Sequence, residues 1–428
     1  MNNKNGIIAL SPLIVFILIY LVTSIIAQDF YKVPISTAFL ISGIYAIMSS
    51  RRGNLNERIR VFSKGASTEN IMLMIWIFML AGAFANTAKD IGCVDATVNF
   101  MLSVLPDNMI LAGLFISTCF ISLSIGTSVG TIVALTPIAI GLAQTTGVNI
   151  NLMVAIVIGG AFFGDNLSFI SDTTVAATSS QECNMKDKFR ANSYIVFPVA
   201  LIIFIVYIIL GFDINKPPVV SHTEFSKILP YMAVFITALL GINVIVVLMV
   251  GLILTAIIGI INGSYDIFGW FASMGTGIQS MSELIIITML AGGLFEIVNK
   301  NGGVEYIISK ITSHIHGKRG AELVIGMMVA AVNICTANNT VAIITVGGIA
   351  RKISLKYGVD NRKTASILDT FSCCMQGIIP YGAQILTVAN LARINPIDIM
   401  PYLYYPYALG VFALLCIYFR FPASYNKK

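Results

Sequence analysis

Long apolar stretches alternate with short polar connections along the whole chain. The first runs from about Gly6 to Ala27. As a helix rising roughly 1.5 Å per residue, it is long enough to cross about 30 Å of hydrocarbon. It lacks a small-residue cleavage site, so a true span is expected rather than a signal peptide. Further spans are predicted at 71–88, 284–298 and 403–419. Four other apolar stretches are interrupted by small and polar residues, at Gly126–Thr131, Gly164–Ser171, Thr336–Thr340 and Gln376–Gly382. Backbone exposed to lipid must be satisfied internally, so such breaks are tolerated only inside protein or beside a wet cavity. The pattern predicts an all-α polytopic membrane protein with broken helices at the midplane.

The chain also contains itself twice. Residues 75–98 align without gaps to 285–308, both carrying Met-Leu-Ala-Gly and then Gly-x-Val about ten residues later, and 126–139 pair with 337–350 at nearly the same offset. Weak internal symmetry of this kind marks transporters built from repeats. The expected division is a first repeat over 1–212, an extracytoplasmic linker over 213–227 and a second repeat over 228–428.

Basic loops orient the repeats, because lysine and arginine accumulate on the cytoplasmic side. Arg51, Arg52, Arg58, Arg60 and Lys64 place the connection after the second span inside. If 109–144 crossed fully, Lys186, Lys188 and Arg190 would fall outside; as a re-entrant hairpin it returns them inside. A hairpin at 321–350 likewise keeps two basic loops on one side, one containing Lys300, Lys310, Lys318 and Arg319, the other Arg351, Lys352, Lys356, Arg362 and Lys363. Each repeat then holds about five transmembrane helices plus one hairpin. An odd number of crossings inverts the second repeat and leaves both termini in the cytoplasm.

Composition agrees. The 428 residues are 57% hydrophobic and 11% charged, with mean hydropathy +0.87, where soluble domains carry about 25% charge. The formal charge of +6 reads as cytoplasmic-loop excess, not as a nucleic-acid footprint. Seven cysteines show no CxxC or Cys/His metal spacing and read as small apolar packing residues. His222, His314 and His316 fall in polar connections. There is neither a GxxxxGK[ST] loop nor HExxH, so enzymatic or ATP-driven chemistry is not expected. No cofactor is expected. The partners are the lipid bilayer and a small ion or organic solute, with a homodimer left open.

The candidate chemistry lies in the breaks. Asp165 and Asp172 sit with Asn166, Ser168 and Thr173 where hydrocarbon would be demanded, and an ionisable group there costs at least a few kcal/mol. Carboxylates, hydroxyls, amide oxygens and freed carbonyls suit sodium, and Asp165 and Asp172 are its candidate ligands. Asp165, Ser168 and Asp172 share one face if the segment is helical; if Gly164 opens the backbone, they cluster around the break, and Asp165 could instead cap a helix. Paired carboxylates raise one another's pKa, so a site holding either a proton or a cation is within reach. Thr127, Ser128 and Thr131 at the first tip could serve the ion or back a helix bend. Asn338, Asn339 and Thr340 mark the second tip. Asp369 lies on the last broken span, where Gln376 and Gln384 flank the break as candidate substrate contacts; Asp369 could instead face the cytoplasmic end.

At Gly164–Thr174 the chain resembles the NhaC family of sodium/proton antiporters. Gly164, Asp165, Leu167, Ser168, Ser171, Asp172, Thr173 and Thr174 match a motif close to GDxLSPxSDTT, and residues 126–131 are similar to the family's GTSxGT. The resemblance covers most of the chain. It implies sodium/proton exchange by alternating access in the cell membrane, with sodium and protons as the transported ions. Phe169 stands where proline is common, and Asn166 where a lysine often sits. Relatives of this shorter type carry organic acids or amino acids, so a coupled carrier of such solutes is the alternative.

Overall fold

A computed structural model describes residues 3–27, 34–50, 52–168, 171–214, 224–312 and 317–422. Arg51, Phe169, the three histidines and most of the expected linker fall outside them. The first half comprises α1 (Asn3–Ala27), α2 (Ile35–Ser49), α3 (Leu55–Ala66), α4 (Glu69–Asp90), α5 (Cys93–Val104), α6 (Ile110–Ile125), α7 (Ser128–Thr146), α8 (Ile150–Leu167), α9 (Asp172–Gln181) and α10 (Met185–Gly211). The second comprises α11 (Phe225–Leu239), α12 (Val244–Ile261), α13 (Ile267–Ser280), α14 (Ser282–Lys300), α15 (Gly303–Thr312), α16 (Gly317–Thr336), α17 (Asn339–Tyr357), α18 (Asn361–Gln376), α19 (Ala383–Ala392), the short α20 (Pro396–Ile399) and α21 (Tyr404–Tyr418). The described chain is helical throughout, and seven of its helical segments are long and apolar enough to cross a membrane.

Several connections expected to be loops are helices. α3 carries Arg58, Arg60 and Lys64 and starts at a capping box, Asn54 accepting from the Glu57 amide and Glu57 reaching back to the Asn54 amide. α13 fills much of the connection before α14, its first turn capped by Asp266. Charge and polarity do not distinguish an exposed loop from a helix with one apolar face.

Both expected hairpins are present. Gly141 of α7 lies against Val94 and Val98 of α5, the helix that leads into α6. Gly358, just after α17, sits beside Lys318 at the start of α16. Each pair of arms therefore returns to the end it left. α7 and α16 each pass a length and hydropathy test for a span on their own.

The halves list their helices in the same order and embrace reciprocally. α4 packs on α13 and α3 on α14; α9 packs on α17 and α19 on α7. The first exchange depends on glycine. A Cβ on Gly82 would overlap the Gly277 carbonyl, and one on Gly277 the Gly82 carbonyl. In the matching contact, a Cβ on Gly65 would come 2.6 Å from the Gly292 oxygen and one on Gly292 2.7 Å from the Gly65 oxygen. Gly82 and Gly292 are the glycines of the two Met-Leu-Ala-Gly segments. Small residues let membrane helices approach closely enough for dispersion to hold them without a hydrophobic driving force.

Gly164 has the same role. It does not open the backbone: α8 continues to Leu167, and Gly164 lies against Ser122 and the Leu123 amide of α6. The break falls at Ser168 and Ser171, so Asp165, Ser168 and Asp172 do not share a helical face.

Gly82→Ala and Gly277→Ala should each destabilise the protein by about 1–3 kcal/mol, the usual cost of overpacking. Gly348→Ala, where a Cβ meets nothing within 4 Å, should not lower the melting temperature in detergent. Equal behaviour of all three would refute the contact.

Candidate functional site

Four helix breaks meet inside the protein, and each is built by local chemistry. Gly126 ends α6 in the left-handed conformation (φ 74°), and Thr127 caps α7 by accepting from the Gly130 amide. The second tip repeats this with Ala337 (φ 48°) and Asn338, which accepts from the Val341 amide at 3.0 Å. A non-glycine residue there costs roughly 1–2 kcal/mol. Two hydrogen bonds offset it: the Ala337 amide donates to the Asn333 carbonyl, and its own carbonyl accepts from Gln376 Nε2, both at 2.8 Å. Ser171 caps α9 through the Thr174 amide and donates to the Asp165 carbonyl at 2.8 Å. The fourth break, between Gln376 and Ala383, contains Pro380.

The breaks enclose a cavity of about 70 Å³. A water needs about 10–15 Å³ on this measure, so several waters or a partly hydrated ion fit. From the first half the walls are Gly126, Thr127, Ser128, Val129, Asp165, Asp172 and Thr173; from the second, Ala337, Asn338, Asn339, Thr340, Gln376, Ala383 and Gln384. Taken in order, every pair is 211 residues apart in the sequence. Leu73, Met74 and Ile77 of α4 complete the lining. A larger cavity of about 150 Å³ shares Met74, Ala337, Asn338 and Ala383 with it and follows α14 to Glu296.

Asp165, 5% exposed, is the centre of the polar network. Its Oδ2 accepts from Ser128 Oγ at 3.0 Å and Asn339 Nδ2 at 3.2 Å, one donor from each half. Behind Ser128 stands a directed relay. Gln376 Nε2 donates to Gln384 Oε1 (2.8 Å), and Gln384 Nε2 donates to Ser128 Oγ (3.0 Å). The Ala337 carbonyl can only accept, so it fixes which end of Gln376 carries the nitrogen, and each later donor follows. Gln376 Oε1 is left buried without a protein partner. Both protein hydrogen bonds to the carboxylate fall on Oδ2, so Oδ1 is the oxygen available to an ion or proton.

Ten of the residues singled out in the sequence line this cavity: Thr127, Ser128, Asp165, Asp172, Thr173, Asn338, Asn339, Thr340, Gln376 and Gln384. Thr131 is instead buried against the Thr127 carbonyl at 2.9 Å. Ser168 and Asn166 are buried beside the α8 end, outside the lining. Asp369 is not at the cavity either. It forms a buried ion pair with Lys188 of α10, the lysine assigned above to a cytoplasmic loop. Charge counting fails there because α10 begins at Met185 and carries Lys188 inward in its first turn. Lys363 is similarly withdrawn, paired with Glu322 at 2.9 Å. The α18–α19 segment does match the α8–α9 segment, but the residue opposite Asp165 is Gln376 rather than Asp369.

A sequence profile of the Na+/H+ antiporter family matches residues 5–212 and 218–423. The chain belongs to this family. Among its relatives is the Na(+)/H(+) antiporter NhaC of Bacillus subtilis, 23% identical over 386 residues, covering 81% of this chain and 83% of that protein. Another is the malate-2H(+)/Na(+)-lactate antiporter of the same organism, 20% identical and covering 89% of each chain. The crystal structure of the YdaH transporter of Alcanivorax borkumensis is similar at a TM-score of 0.43 and 13% identity, covering 81% of this chain and 85% of that one. Membership makes this a multi-pass membrane transporter of a small ion or solute, not an enzyme.

Hydrogen bonds to charged groups contribute about 1.5–3 kcal/mol. Ser128→Ala and Asn339→Ala should therefore each raise the half-saturating sodium concentration roughly tenfold or more in reconstituted vesicles. Gln384→Ala should shift it in the same direction by less, since it acts through Ser128. Unchanged sodium dependence in both direct variants would remove Asp165 from the ion path.

Proposed function

We propose that the chain exchanges sodium ions for protons by alternating access, at the cavity between the four helix breaks. The observation that carries this reading is the Asp165 carboxylate, which accepts one hydrogen bond from each half in a polar cavity that the more exposed Asp172 also lines. Oxygen-rich walls suit a hard cation, and an ionisable ligand lets a proton compete for the same place. Asp165 and Asp172 are the proposed sodium ligands, with the nearby hydroxyls and amide oxygens completing the shell. The family's name and the NhaC relative point the same way.

The two halves act as inverted repeats about a pseudo-two-fold axis in the membrane plane, 1–212 against 228–428. Reciprocal packing of α3–α4 with α13–α14 supports this, because a two-fold requires each contact to be returned. The seven cavity pairs at one offset support it too, as do the family matches to 5–212 and 218–423. The protein resides in the cell membrane with both termini in the cytoplasm and 213–227 outside. An impermeant maleimide should then label Asn262→Cys but not Lys352→Cys in intact cells, in a cysteine-free background; the opposite pattern reverses the orientation.

A second reading is coupled exchange of a small organic acid. The second half of the cavity is rich in amides, and a relative is named for malate and lactate. Liposomes distinguish the two. Sodium alone should collapse an imposed pH gradient, and Asp165→Asn and Asp172→Asn should each slow this at least tenfold. If proton movement occurs at no pH with sodium alone but appears on adding one organic acid, the second reading replaces the first.

A further inference from the structure

The buried pair formed by Lys188 and Asp369 lies outside the ion cavity and has its own oxygen shell. An ammonium has three N–H donors, and Lys188 Nζ meets three groups: the Asn166 carbonyl at 2.6 Å, Thr174 Oγ1 at 2.7 Å and the Asp369 carboxylate. The carbonyl comes from the last turn of α8, where helix carbonyls lack a partner within the helix. The hydroxyl comes from the first turn of α9, and the carboxylate from the other half of the chain. Lys188 is 1% exposed and Asp369 fully buried. None of the four residues lines the cavity around Asp165.

The groups around the ammonium are those that also hold metal cations. A freed carbonyl, a hydroxyl and a carboxylate are hard oxygen donors of the kind that bind hard metal cations. Asn192 donates from Nδ2 both to the Asn166 carbonyl (2.9 Å) and to Asp369 Oδ2 (3.0 Å), so it ties two of the oxygens together independently of the lysine. Its own Oδ1 is buried without a partner. The residue 211 positions after Lys188 is Ile399, so only the first half supplies such a group.

We infer that the Lys188 ammonium is a tethered cation filling an ion position at the α8–α9 break, so that the chain binds one sodium ion where it would bind two without this lysine. The inference rests on sodium being the coupled ion at Asp165. A structural ion pair that only neutralises Asp369 would leave the sodium count unchanged when the lysine is removed.

The test counts bound sodium on the purified full-length chain by equilibrium dialysis with radioactive sodium, choline chloride holding ionic strength constant. The wild-type chain should bind one sodium ion and Lys188→Ala two, the second lost again in Lys188→Ala/Asp369→Asn. Melting temperature should rise with sodium more steeply in Lys188→Ala than in the wild type or the double variant. Two ions on the wild type, or one on Lys188→Ala, overturns the inference. If Lys188→Ala folds poorly in choline, recovery by sodium supports the inference, and equal failure in both salts sinks it. A wild-type chain that binds no sodium and moves no protons removes the antiport reading first, and this one with it.

Discussion

Everything at the centre of this protein follows from one constraint: backbone groups freed at a helix break inside a membrane protein must be satisfied by the protein itself. Four breaks meet here, and some of the groups that repair them, Thr127, Asn338 and Gln376, also line the cavity. Ser171 reaches the Asp165 carbonyl, Gln376 the Ala337 carbonyl and Lys188 the Asn166 carbonyl. Thr127, Asn338 and Ser171 cap the helices that restart. Opening the backbone requires polar side chains inside the protein, and those side chains then offer donors and acceptors to whatever enters.

The same positions carry unlike chemistry in the two halves. At the 211-residue offset Asp165 corresponds to Gln376, Asp172 to Ala383, Thr173 to Gln384 and Ser128 to Asn339. Both carboxylates thus belong to the first half, while the second contributes neutral amides, of which Asn339 donates to Asp165. Concentrating the negative charge gives one electrostatically attractive place for a cation rather than two weaker ones. The amide relay from Gln376 through Gln384 to Ser128 holds a hydrogen bond donor on Asp165. A lone buried carboxylate would be costly in low dielectric; two donors and a polar cavity make it tolerable without cancelling its charge.

Elsewhere the chain cancels buried charge outright. Lys188 with Asp369 and Lys363 with Glu322 are pairs withdrawn from water. Removing one partner of such a pair typically costs about 3–5 kcal/mol, because the other charge is left uncompensated. The first pair links α10 of one half to α18 of the other, next to the break that carries Asp165. Lys188 therefore ties the end of α8 and the start of α9 to α18 of the other half.

By itself the sequence determined the helical membrane class, the internal repeat, the two hairpin tips and most of the cavity residues. Each of these leaves a local trace: an apolar run long enough to span, a recurring Met-Leu-Ala-Gly, or a polar cluster too expensive for lipid unless something pays for it. The tertiary structure decided the pairings. Asp369 and Asp165 look alike in the sequence, two acids in apolar stretches, yet one is neutralised by Lys188 and the other faces the cavity. Lys188 reads as a loop charge until α10 is seen to start before it. Gly164 reads as a hinge until α6 is placed against it. Hydropathy records what burying a polar group would cost, whereas the partner that offsets the cost lies as much as 256 residues away and is chosen only when helices from both halves pack.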